Sequence, residues 1–140
     1  MIEIRNLTRK KIDAKRLKAV AKKVLKSENI KLKGISIVLL GKTEIKKLNK
    51  KYRGKSQPTD VLSFSQNYDF PFLKEDLGEI VVCPEQVGEN ARKAGEEFEK
   101  ELNRVLIHGI LHLLGYDHEK SGEGARRMEK KQEYYLVKFF

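Results

Sequence analysis

Apolar residues alternate at the start of the chain, Ile2 and Ile4 against Glu3 and Arg5, so Met1 to Leu7 predict a short strand. The period then changes. Residues 12–27 read as an amphipathic helix with Ile12, Leu17, Val20, Ala21, Val24 and Leu25 turned inward. Lys11, Lys15, Lys18, Lys22 and Lys26 recur at steps of three and four and form an outer stripe. Ile35 to Leu40 is a buried strand by composition. Thr43 is the expected N-cap of the next helix, carried inward by Ile45, Leu48 and Tyr52 and ending at Tyr52-Arg53-Gly54-Lys55. Asp60 to Phe64 predicts a strand. Residues 66–77, with Tyr68, Phe70 and Phe72, form a loop long enough for a rim or lid. Gly78 to Cys83 is the next strand, and Pro84 opens a helix to about residue 93. Gly95 breaks that helix, residues 96–115 form a long one with a Glu-rich first turn, and 122–139 form the last, with Met128, Tyr135 and Leu136 apolar. Mixed strands and helices in this order predict an α+β fold. The expectation is a single domain over 1–140, a small mixed four-stranded sheet packed with four to five helices.

Composition adds limits. With 140 residues, 39% of them hydrophobic, the chain can bury one sizeable core. A lone cysteine, Cys83, excludes an internal disulfide and fits a reducing cytosol. No apolar leader opens the chain and no apolar run is long enough to span a bilayer, so a cytoplasmic protein is expected. The net charge of +10 is uneven: residues 1–55 hold 19 Lys and Arg against 4 Asp and Glu. A polyanion such as nucleic acid is the partner this suggests, although a solvated lysine-rich surface gives the same pattern.

The candidate chemistry lies in one stretch, His108-Gly109-Ile110-Leu111-His112-Leu113-Leu114-Gly115-Tyr116-Asp117-His118, which holds all 3 histidines of the chain. Positions i and i+4 share a helix face, so His108 and His112 offer two imidazoles to one ion. Gly115 frees the backbone to end the helix, and the returning chain brings His118 as a third ligand. The spacing is that of the zinc-protease helix, with Gly109 where those enzymes carry a catalytic Glu. Three imidazoles leave zinc a fourth position, the pattern of a catalytic rather than a closed structural site. With no acidic ligand the site keeps a charge of about +2, suited to a phosphodiester. Gly109 has two readings, close packing against the sheet or room beside the metal, and under either the protease base is missing. A second motif is rejected: Gly41-Lys42-Thr43 tempts a phosphate-binding loop, but the required upstream glycine is Ser36.

The histidine stretch resembles the signature of the YbeY family of bacterial metal-dependent endoribonucleases. Tyr52-Arg53-Gly54-Lys55 with Pro58-Thr59-Asp60-Val61-Leu62-Ser63-Phe64 is similar to a second family motif, and Leu77 to Cys83 to a third. The run Glu119 to Glu123 is less acidic than the family pattern. The resemblance implies a fold like the catalytic core of the metzincin proteases and zinc held by His108, His112 and His118. Arg53, which spacing alone would leave as an ordinary helix-terminal cation, becomes a catalytic, phosphate-contacting residue beside His108. It also implies cleavage of single-stranded RNA, maturation of small-subunit ribosomal RNA, ribosome quality control, and the small ribosomal subunit with its assembly factors as partners. Asp60 and Glu79 are the candidate proton carriers. Two other classes stay open: a ribosome-assembly RNA-binding module with structural zinc, and a protease-like zinc hydrolase whose Glu enters from elsewhere.

Overall fold

Two short segments rich in β-branched residues, Gly34–Leu39 (β2) and Asp76–Val82 (β4), lie side by side and parallel at the centre of the sheet. Ile2–Asn6 (β1) flanks β2 in parallel, and Val61–Ser65 (β3) closes the other edge antiparallel to β4, giving the order β1-β2-β4-β3. This computed structural model describes residues 2–30, 34–65, 76–116 and 122–140. Among them the helices are α1 (Ala14–Ser27), α2 (Lys42–Arg53), α3 (Pro84–Ala94), α4 (Phe98–Leu113) and α5 (Gly122–Phe139). The chain is thus a single small α+β domain on a mixed sheet, as its apolar pattern predicts.

Successive strand residues face opposite sides, and both sides of the central strands are covered. Ile35, Ile37, Leu39, Ile80 and Val82 meet α1, α4 and α5 in the main core. Val81, Cys83 and Leu62 meet Ile45 of α2 on the other face. Burial on both faces explains why β2 and β4 read as apolar runs rather than as alternations.

Three boundaries differ from expectation. The second helix starts before Thr43: Gly41 is its N-cap without a side-chain cap, and Ile45 N–H already donates to the Gly41 carbonyl at 3.1 Å. Strand β4 begins at Asp76, inside the expected loop, because the register against β2 skips a residue at Leu77. That bulge turns Leu77 into the main core alongside Ile80. Gly78 then has φ 145, and a Cβ there would lie 2.2 Å from the Phe64 carbonyl oxygen. Finally, Glu96 and Glu97 precede α4 rather than forming its first turn; Glu97 is the N-cap and Glu96 folds back onto Arg104. The aromatic loop proposed as a lid lies, for residues 66–75, outside the described residues.

Candidate active site

Helix α4 presses one side into the core through Leu102, Leu106, Ile110 and Leu111. Its half-buried side carries His108 and His112, whose ring centroids are 4.9 Å apart at 69°. The helix stops as its sequence predicts. Gly115 adopts φ 100, its N–H donates to the His112 carbonyl, and the Tyr116 N–H donates to the Leu111 carbonyl, both at 3.0 Å. This pair of bonds is the Schellman closure, and it uses the carbonyl of one histidine while leaving the imidazole out of the turn.

The orientation of His108 is set from α5. Gln132 donates from Nε2 to the Glu133 carboxylate at 3.1 Å, which directs its Oε1 toward His108 Nδ1, 2.8 Å away. An amide oxygen only accepts, so Nδ1 is the nitrogen that carries a proton, and in the neutral ring the lone pair is then on Nε2. Glu133 is held in turn by Arg104, which also pairs with Glu96 and Glu101. Hydrogen bonds to these carboxylates push the Arg104 pKa well above its ordinary value. A neutral imidazole fixed in this tautomer is what a zinc ligand requires. Gln132 was not found by sequence reasoning, because nothing in its spacing marks it.

Arg53 is the last residue of α2, and Gly54 caps the helix in the left-handed region at φ 72. Buried Asn49 pins the chain that follows, donating from Nδ2 to the Gln57 carbonyl at 2.8 Å. The result is a cleft of ≈ 590 Å³ lined by Arg53, Asp60, Ser63, His108 and His112, with Tyr52 on its border. Two of the three expected metal ligands and the expected catalytic arginine therefore share one cavity. His118 lies outside the described residues, and among those described no three His, Cys, Asp or Glu side chains group to hold an ion. The donors that are described fit zinc: two imidazoles on one helix face, one of which has its Nδ1 engaged by Gln132 so that Nε2 is the ligating atom left to it.

Gly109 packs against the sheet beside the cleft. A Cβ there would lie 2.9 Å from Ile80 Cγ2 and 3.3 Å from Ser63 Oγ, and Ser63 donates to the Gly109 carbonyl at 3.2 Å. Of the two readings, the geometry favours close packing on the sheet. Lys42 of the rejected phosphate-loop motif pairs with Glu89, which raises the lysine pKa and lowers the carboxylate's through their hydrogen bond. Tyr52 is the clearest departure. Expected on the buried side of its helix, it is 57% exposed.

Fold and cleft together define an α+β domain that directs two imidazoles and a guanidinium into one cavity. The chain belongs to the YbeY family: the family model described as endoribonuclease YbeY matches residues 3–139. It is similar to the endoribonuclease YbeY of Thermotoga neapolitana, with 44% identity over 125 residues, 82% of this chain and 80% of that one. The Aquifex aeolicus endoribonuclease YbeY is 36% identical over 132 residues, covering 94% and 87% of the two chains. The solution structure of TM1509 from Thermotoga maritima superposes with a TM-score of 0.69 at 39% identity, covering 99% of this chain and 89% of that one. No described helix is long and apolar enough to cross a membrane.

Proposed function

We propose that this chain is a zinc-dependent endoribonuclease of single-stranded RNA, with His108, His112 and His118 holding the ion and Arg53 gripping the phosphate. The observation that carries this reading is the meeting of His108, His112 and Arg53 in one cleft of a YbeY-family chain. Bound there, zinc supplies Lewis acidity toward a phosphoryl oxygen. The Arg53 guanidinium presents a planar fork that matches two phosphate oxygens and offsets charge that grows in the transition state. Asp60, inside the cleft, is better placed to move a proton than Glu79, which borders the neighbouring groove. Peptide hydrolysis lacks its base at position 109, which is glycine and where Ile80 and Ser63 fill the room beside it. On family resemblance we further assign the chain to small-subunit ribosomal RNA maturation and ribosome quality control in the cytoplasm, with the small subunit and its assembly factors as partners.

The test is cleavage of unstructured against duplex RNA, with chelation and zinc add-back. His112→Ala is expected to lose bound zinc by metal analysis and to lose cleavage with it. Arg53→Ala is expected to keep zinc and lose turnover by roughly 10²–10³-fold, the usual effect of removing a transition-state charge contact. Cleavage by zinc-free His112→Ala would sink the proposal. Weaker RNA binding with unchanged turnover in Arg53→Ala would favour the binding-module reading instead.

A further inference from the structure

Tyr52 sits between two cavities. It borders the cleft that holds Arg53 and the histidines, and it also lines an adjoining groove of ≈ 540 Å³ with Ser36, Phe64, Ser65 and Glu79. Its ring is propped rather than loose: Phe64 meets it edge to face, with centroids 5.0 Å apart at 67°. Phe64 comes from β3, an element of the sheet, so the ring on α2 is braced against a second element. The ring nevertheless remains 57% exposed, although a tyrosine at this helical position would be expected to turn inward with Ile45 and Leu48. Lys51 places its ammonium 5.2 Å from the ring centroid, and Arg53 is the next residue along the chain. An exposed, braced aromatic ring flanked by two cations is the arrangement that receives a nucleobase with its phosphates on either side.

We propose that Tyr52, backed by Phe64, is the stacking platform for the base of the nucleotide adjoining the phosphate gripped by Arg53, and that the Ser36–Glu79 groove receives this base. The proposal rests on the endoribonuclease reading above and deepens it. Stacking on a side chain demands a base free of its own helix, so the platform selects single strands over duplex. It is tolerant of sequence, because every base has a π face. Lys51 has a flexible stem and is free to leave the ring for the neighbouring phosphate when a base arrives.

The test uses zinc-loaded full-length protein and an unstructured oligoribonucleotide carrying one abasic site, moved position by position. Tyr52→Leu, which keeps an apolar contact for Phe64, and Tyr52→Ala are expected to raise KM about tenfold, in line with one lost base stack, with kcat little changed. Tyr52→Phe is expected to behave as the parent. At a single position next to the cleavage site, the abasic substitution is expected to reproduce the KM of Tyr52→Leu and to add nothing in that variant. If Tyr52→Leu and Tyr52→Ala keep the parental KM while Arg53→Ala is impaired, the platform is wrong and the endoribonuclease reading stands. If the parent protein cleaves no RNA, that reading fails and the platform falls with it.

Discussion

Gly109 lies between two candidate metal ligands in sequence, but on the helix it is turned toward Ile80 and Ser63 of the sheet. Ile80 fills the room a side chain would need, and its Cγ2 sits close to the backbone of a central strand at a fully buried position. Alanine would gain about 1 kcal/mol of helix propensity, against overpacking that typically costs 1–3 kcal/mol. Gly109→Ala is therefore expected to lower stability by about 1 kcal/mol in urea unfolding. A gain of similar size would show that the sheet can yield. At this scale the placing of His108 and His112 in one cleft was legible, because chemistry and spacing coincide in one short run. Tyr52 was not: helical periodicity turned it inward, whereas in the fold it stays exposed and is propped by Phe64 of β3, the next element of the chain. Gln132 was equally silent, since its partner, His108, lies on another helix.

Among the elements, α1, the exit of α4 and α5 are tied through one carboxylate. Glu28, the C-cap of α1, accepts from the Tyr116 hydroxyl at 2.8 Å, from the Tyr135 hydroxyl, and from Lys131 at 3.1 Å. Burial raises its pKa, but the hydrogen bonds from Tyr135, Tyr116 and Lys131 together overcome this and hold it below the ordinary 4.5. Burial first, and then the hydrogen bond to Glu28, push both tyrosine pKa values up. A carboxyl whose folded pKa is depressed contributes stability in full above its unfolded value and loses it as pH falls through the folded one. Glu28→Gln is thus expected to cost about 1–2 kcal/mol at neutral pH. The gap to the parent should close as pH drops below the carboxylate range, and urea melts across pH measure it; a gap that ignores pH would show that the charge is irrelevant. This node anchors the turn that precedes His118, a role no local pattern could reveal because its members are up to 107 positions apart. Period and punctuation did reveal the elements themselves, with α5 found at Gly122–Phe139 and Gly54, Gly95 and Gly115 each closing a helix. The misplaced start of β4 came from a bulge, which carries the strand past Gly78 into residues that the sequence assigns to the loop.

Across the whole molecule, the basic first half divides into two helices with different neighbours. Helix α1, with its exposed stripe Lys15, Lys18, Lys22 and Lys26, packs over β1 at one edge of the sheet. The cleft opens at β3, the opposite edge, where α2 ends with exposed Lys46, Lys47, Lys50 and Lys51 leading to Arg53. Four strands set the two edges roughly 14 Å apart, beyond the screening length of about 8 Å at physiological salt. A strand of RNA in the cleft therefore meets α2 first, and the even spacing of the α1 lysines is no guide to their use. Each lysine that touches a phosphate contributes about 0.7 to the slope of log binding constant against log salt for a single strand. Replacing Lys47, Lys50 and Lys51 by Gln is expected to weaken binding of single-stranded RNA and reduce that slope by up to about 2. The same exchange at Lys15, Lys18 and Lys22 is expected to leave the slope unchanged. Fluorescence anisotropy across a salt series separates the two sets, and a loss of slope from the α1 set would place the RNA path across the other edge of the sheet.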